Sequence, residues 1–178
     1  MKGIVFNLLE KVVEAQFGAE VWDRLLDDSN VEGAYTSLGN YDDAEIEAIV
    51  AAAMARLGMS RADVLRWFGV NAMPILAKTY PSLFEPYASA HPFVLGVNSI
   101  IHAEVRKLYP GALCPHFEMS SPADAGIDMT YISARRMCAL AEGFIIGAAG
   151  HFGETVAVDH ITCVDHGDAG CRFKISWL

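Results

Sequence analysis

Tyr131, Ser133 and Arg135 stand at i, i+2 and i+4, where a short strand over 129–133 is expected to run into a helix. Alternation along a strand puts Tyr131 and Ser133 on one face. Arg135, placed at the helix start, can turn back to the same point. Two hydroxyls and a guanidinium would then converge on one anionic group, and the guanidinium fork matches a carboxylate in two parallel hydrogen bonds. His102 lies twenty-nine residues before Tyr131, inside a largely apolar helical stretch. A carboxylate clamp plus one buried imidazole suits a large ligand with acidic arms and a metal centre.

A second group of chemically capable residues follows. Cys138 falls in the helix after the clamp, and His160, Cys163 and Cys171 fall at the strand ends and turn beyond it. His160-x-x-Cys163 is compact ligand spacing, and three thiols with one imidazole suit a tetrahedral structural zinc. The same four positions are also compatible with isolated residues, the cysteines being buried as small hydrophobes.

The elements that must position these groups divide the chain. The first half reads helical. Helix one carries Ile4, Val5, Leu8, Leu9 and Val12 and ends near Gly18. A short helix covers Glu20–Leu26, and another begins at Asp42 or Asp43 and stops at Gly58. Ser60, with Asp63 at the capping-box position, starts the next, and Pro74 is expected to kink or break it. Tyr80–Pro92 reads as irregular. Phe93–Leu108 forms the helix that holds His102, stopped by Tyr109-Pro110-Gly111. The period then changes. Cys114–Met119, Ile127–Ser133, Thr155–Ile161 and Cys171–Trp177 read as strands, with a helix at about Arg135–His151 and turns at Asp124-Ala125-Gly126 and Asp165–Gly170. The fold class is α+β: a helical N-terminal part, about 1–111, packed on a C-terminal mixed part, about 112–178, with an antiparallel four-stranded sheet. The expected organisation is one domain over 1–178.

Composition narrows the function classes. With 178 residues, 53% hydrophobic and 20% charged, the chain carries more apolar side chain than a small core requires. An oligomer surface or a large internal ligand site would account for the excess. The net charge of −9, with only 13 Lys and Arg, makes nucleic acid and anionic membrane poor partners. No secretory signal or bilayer-spanning stretch is visible, so a cytoplasmic protein is expected. No nucleophile elbow, phosphate-binding glycine loop or carboxylate pair indicates an enzyme.

His102 alone is either a hydrogen-bonded core histidine or a metal ligand. No second ligand stands at helical spacing from it. That argues against zinc and fits an iron whose equatorial ligands come from a porphyrin. Read together, Met1-Lys2-Gly3, His102 with Tyr109-Pro110-Gly111-Ala112 and Pro115, and Tyr131-x-Ser133-x-Arg135 make the chain resemble the haem-nitric oxide/oxygen binding (H-NOX) domain family, gas sensors related to soluble guanylate cyclase. The resemblance covers essentially residues 1–178. It implies haem b held between the helical part and the sheet, with His102 as the iron ligand and Tyr131, Ser133 and Arg135 binding the haem propionates. Pro115 would press on the porphyrin, and Val5, Leu9 and Phe144 would pack on the distal side. Cys138, His160, Cys163 and Cys171 match in order a zinc site carried by some bacterial members, where thiol redox sensing is the sharper role and a structural staple the plainer one.

The resemblance also bears on the gas. Oxygen binding in the family depends on a distal tyrosine five residues beyond the clamp arginine, and that position here is Leu140. A pocket without a donor favours NO over oxygen, because bound dioxygen carries partial negative charge. CO is expected to bind reduced haem as well. The implied mechanism is that NO loosens His102 and the helical part shifts against the sheet. The readout is then a separate signalling enzyme, a histidine kinase or a cyclic-di-GMP synthase or phosphodiesterase. The rival readings are an oxygen-binding haem protein of the same fold and a zinc-stabilised module for another hydrophobic ligand with thiol redox sensing.

Overall fold

The fold was analysed in a computed structural model, which describes residues 1–121 and 126–178. Seven α-helices and four strands run in the order α1 (Gly3–Phe17), α2 (Ala19–Ser29), α3 (Asp43–Leu57), α4 (Arg61–Thr79), α5 (Ala90–Leu95), α6 (His102–Leu108), β1 (His116–Ser120), β2 (Ile127–Ile132), α7 (Cys138–His151), β3 (Val156–Thr162) and β4 (Cys171–Trp177). The architecture is α+β, as the change of period predicts. Of the turn at Asp124-Ala125-Gly126, residues 124 and 125 lie outside the described residues.

Local chemistry explains most boundaries. Asp42 is the cap of α3, its Oδ1 accepting from the Ala44 N–H at 2.9 Å, which leaves Asp43 free for another partner. Ser60 caps α4 by accepting from the Asp63 N–H. Gly58 ends α3 in the left-handed region at φ 64°, where a residue without Cβ sits at no steric cost. β1 begins at His116 rather than Cys114, because Pro115 supplies no N–H for the ladder.

Two expectations are corrected in this half of the chain. Pro74 does not break its helix, which runs unbroken from Arg61 to Thr79 with Pro74 inside. The missing N–H removes one intrahelical bond, and the expected break, though not the alternative of a kink, is what the continuous helix corrects. The helix expected over 93–108 is also not uniform: α5 starts earlier, at Ala90, and a π-helical turn over Val97–Ile101 separates it from α6. The wider turn falls directly before His102, and such turns recur at functional sites.

The sheet is antiparallel in the order β1-β2-β4-β3. Its pairings place Phe117 opposite Tyr131, Met129 opposite Phe173 and Tyr131 opposite Cys171. The face bearing Ile127, Met129 and Tyr131 of β2 and Cys171, Phe173 and Ile175 of β4 is buried. Cys138, Ala141, Ile145 and Ala148 of α7 belong to the same core. On its other side α7 meets α4 backbone to backbone. A Cβ on Gly143 would stand 2.2 Å from the Arg66 carbonyl oxygen, and one on Gly69 would stand 2.6 Å from the Leu140 carbonyl oxygen. Only glycine permits that approach. A second core joins α1, α2, α3 and α4 around Phe6, Ile46, Ile49, Leu65 and Phe68.

Candidate functional site: an apolar cavity and a thiol cluster

Between the two cores lies a cavity of about 330 Å³. α1 contributes Ile4, Val5 and Leu8; α4 contributes Met73 and Leu76; α7 contributes Leu140, Ala141, Phe144 and Ile145. The stretch from α5 to α6 adds Val94, Val97, Ile101, His102 and Val105, and the sheet adds Phe117, Met119, Met129 and Tyr131. Val97, Ile101 and Val105 are only partly buried because their apolar stripe faces this cavity rather than another side chain.

His102, Pro115, Tyr131, Ser133, Arg135, Val5, Leu140 and Phe144 all line the cavity. Leu9 does not. It is buried in the helical core, roughly a quarter turn round the helix from the stripe made by Ile4, Val5 and Leu8. The cavity wall expected to include Leu9 is lined at this point by Leu8 instead.

His102 opens α6 and its ring stacks on Phe117 at 5.8 Å, with Phe117 in turn 5.8 Å from Tyr131. Asn98, one turn earlier, fixes this arrangement. Its side chain donates to the Phe117 carbonyl at 2.5 Å and accepts from the Phe117 N–H at 3.2 Å. Burial, with Arg106 and His116 nearby, lowers the His102 pKa to about 4. The imidazole is thus neutral at neutral pH and keeps a lone pair for a metal. Its Nδ1 is buried without a hydrogen-bond partner, which an ordinary core histidine avoids.

The clamp residues converge by a route different from the expected one. β2 ends at Ile132, and Arg135 lies in a turn three residues ahead of α7 rather than at a helix start. Arg136 adopts φ 53°, a left-handed conformation that no helix continues through. The turn is tied internally: the Met137 N–H donates to the Tyr131 hydroxyl at 3.2 Å, and the Arg135 N–H donates to Ser133 Oγ at 3.2 Å. Tyr131 and Ser133 point inward while Ile132, between them, is exposed. The Arg135 guanidinium donates from Nε to Asp43 at 2.8 Å and from Nη1 to the Leu113 carbonyl at 2.6 Å. Two of its five N–H donors are thereby used, and the rest can meet an anion. Burial pushes the Asp43 carboxyl up, but hydrogen bonds from the Met1 amino group and Arg135 outweigh it, and the net shift is downward.

A polar pair on the cavity wall has no local signal in the sequence. Tyr80, just beyond α4, and Tyr109, just beyond α6, share a hydroxyl–hydroxyl contact at 2.5 Å. Burial and that contact push the Tyr109 phenol up to about 12.

Cys138, His160, Cys163 and Cys171 come together, their ligand atoms all within 4.8 Å of one another. The Sγ atoms of Cys138 and Cys163 are 3.6 Å apart. Zinc–sulfur bonds of ~2.3 Å in a tetrahedron separate two sulfurs by about 3.8 Å. All three thiols are free and buried, and the His160 Nε2 is buried without a partner. The donor set and its unpartnered nitrogen fit a structural zinc. A bulge between His160 and Thr162 aims the imidazole, and Asp168 orders the following turn by accepting from the Cys163 N–H at 2.8 Å. His151 and His166 are exposed, and Cys114 lines the cavity half-buried.

Comparison with known proteins places this arrangement. The model of the haem-NO-binding family matches residues 2–160. An H-NOX protein from S. oneidensis, solved in the Fe(II)NO ligation state, is 35% identical with a TM-score of 0.93, covering 100% of this chain and 99% of that one. A mutant of the H-NOX domain from Shewanella oneidensis in the Fe(II)CO ligation state is 34% identical with a TM-score of 0.87, covering 99% and 98%. The Fe(II) unliganded H-NOX protein from K. algicida is 27% identical with a TM-score of 0.85, covering 100% and 97%. The fold and the matched family define a haem-NO-binding domain. This chain belongs to the haem-NO-binding family.

Proposed function

We propose that this protein is a haem-based NO sensor that acts through a separate signalling enzyme rather than by catalysis of its own. The observation that carries the reading is an apolar cavity with one neutral, partly unpartnered imidazole on its wall and a guanidinium with free donors at the Tyr131–Arg135 turn. Haem b supplies the iron that takes the gas. His102 holds that iron, while Tyr131, Ser133 and Arg135 hold the propionates. Pro115, Val5 and Phe144 press on the ring, and Leu140 keeps its surroundings dry. The S. oneidensis relative with NO supports the choice of gas, and the relative with CO supports CO as a second ligand.

Leu140 decides against oxygen in this reading. It is 9% exposed and lines the cavity, and it offers no hydrogen to a partially negative ligand. Cys138, His160, Cys163 and Cys171 hold zinc, which staples α7 to β3 and β4 and gives oxidants a set of thiols to act on. Family resemblance supports a cytoplasmic setting and a histidine kinase or cyclic-di-GMP enzyme as the partner. No described helix is long and apolar enough to cross a membrane.

Haem loading of the purified chain tests the site. The wild-type protein should retain stoichiometric haem with a ferrous spectrum set by one imidazole. His102→Gly should change that spectrum, and free imidazole, able to enter the space left by the side chain, should restore it. A His102→Gly protein with an unaltered ferrous spectrum contradicts the assignment.

A further inference from the structure

We propose that Glu142 is the positioning residue for the zinc site, holding His160 in the tautomer and orientation that ligation needs. The proposal rests on the reading of the four-residue cluster as a metal site. The geometry divides the two nitrogens of His160 by role. Nε2 is buried and unpartnered, and the ring belongs to the cluster of ligand atoms within 4.8 Å of one another. The other nitrogen, Nδ1, has Glu142 Oε2 at 4.0 Å, a negative charge beside the ring but beyond direct hydrogen-bond distance. Among the described residues no other carboxylate lies within 4.0 Å of this ring. A carboxylate on the Nδ1 side favours the proton there and leaves the Nε2 lone pair for the metal. Histidine ligands commonly donate their other N–H to such a group.

Glu142 is itself held. Its side chain is 8% exposed and is gripped by Arg66, from Nε at 2.6 Å and Nη2 at 3.0 Å. Arg66 also donates to Asp63 at 2.8 Å, and the Asp63 N–H donates to Ser60 at the start of α4. A buried carboxylate fixed by a two-point guanidinium cannot wander, so it can orient a neighbour. Glu142 stands four residues after Cys138, on the same face of α7. One helix therefore supplies a ligand and the group that orients another ligand from β3. Hydrogen bonds run Ser60–Asp63–Arg66–Glu142 from the N-terminus of α4 to α7, and Glu142 carries that order to within 4.0 Å of His160.

Chelator competition for zinc on the full-length haem-loaded protein tests this, with zinc ion as the probe. Glu142→Gln keeps the shape and an acceptor for Arg66 but removes the charge. It should weaken zinc about 10–100-fold and leave the haem spectrum unchanged. A His160→Cys chain offers four thiolates and has no imidazole to orient, so adding Glu142→Gln there should leave zinc affinity unchanged. Equal losses in both backgrounds would make Glu142 a packing residue and overturn the proposal, as would an unchanged affinity in Glu142→Gln alone. Nitrogen-15 NMR of wild-type histidine gives an answer independent of any variant: the zinc-loaded His160 should carry its proton on Nδ1. A proton on Nε2 overturns the assignment. A wild-type protein that takes up no zinc, or a Cys163→Ala protein that binds it fully, removes the metal reading itself.

Discussion

Asp43 shows how one residue's role depends on its neighbour. Two acids stand at the start of α3, and because Asp42 supplies the cap, Asp43 is left to bind Arg135. Arg135 is thus anchored from a helix 92 residues away in the chain. Asp43→Asn should leave the fold intact and let Arg135 move, raising the rate of haem transfer to an excess apo-globin acceptor several-fold. The pH dependence follows from the direction of the shift. Asp43 is held below its ordinary value, so its contribution is present above the unfolded-state pKa. It is lost as the pH falls through the folded-state value. Haem retention in the wild type should therefore weaken on acidification into that range, and Asp43→Asn should show the weakened retention already at neutral pH. A flat comparison of the two proteins would separate Asp43 from the clamp.

At the same scale, the clamp motif itself was legible in the sequence, since Tyr131, Ser133 and Arg135 do meet one cavity. Strand alternation does orient Tyr131 and Ser133, but Arg135 arrives through a turn with Arg136 at φ 53°. Neither arginine has a composition signal for a left-handed conformation, so the helix start was placed three residues early. Leu9 failed for a related reason: a continuous apolar stripe on α1 serves both the core and the cavity. Hydrophobicity alone does not say where one ends and the other begins.

Among elements, the contact between α4 and α7 governs most of what happens at both sites. It brings backbone to backbone at Gly69 and Gly143, carries Met73, Leu76, Leu140 and Phe144 on the cavity wall, and holds the Arg66–Glu142 pair. A sequence shows where a glycine stands but not which helix it meets, because a helix partner is a tertiary fact. α4 also continues through Pro74 against local propensity. Gly143→Ala should force the helices apart and destabilise the protein by about 1–3 kcal/mol, as overpacked cores do, seen as a lower thermal midpoint. Loss of the Arg66–Glu142 geometry should accompany it. A wild-type midpoint would mean that the approach is slack.

The hydroxyl pair Tyr80–Tyr109 is a second element-level joint, between the ends of α4 and α6. Tyr109 was read from the sequence as part of a stop signal, and Tyr80 as part of an irregular stretch. Tyr109→Phe leaves the Tyr80 hydroxyl without this partner and should cost about 1 kcal/mol in denaturant unfolding. No change in the midpoint would show that water replaces the contact fully.

Across the whole molecule, the cavity and the thiol cluster are neighbours through the sheet and not separate features. Tyr131 of the clamp sits directly opposite Cys171 of the cluster in the β2–β4 pairing, and α7 places Cys138 at its start and Leu140 on the cavity wall one half-turn later. The α+β division and the helix-then-sheet order were readable from the change of period, whereas the two residue clusters became specific only through the family resemblance. The cross-strand register that joins the clusters was not, since β2 and β4 are separated in the chain by α7 and β3.

The central claim is that this cavity binds haem through His102 and, lacking a donor at Leu140, responds to NO rather than oxygen. Visible spectroscopy of the reduced, anaerobic protein, divided between stoichiometric NO and air, tests it most directly. The account predicts a Soret band that moves to shorter wavelength with NO and no stable oxygen complex in air, with Leu140→Tyr gaining one. A wild-type protein that forms a lasting oxygen complex, or that shows no spectral response to NO, would contradict it.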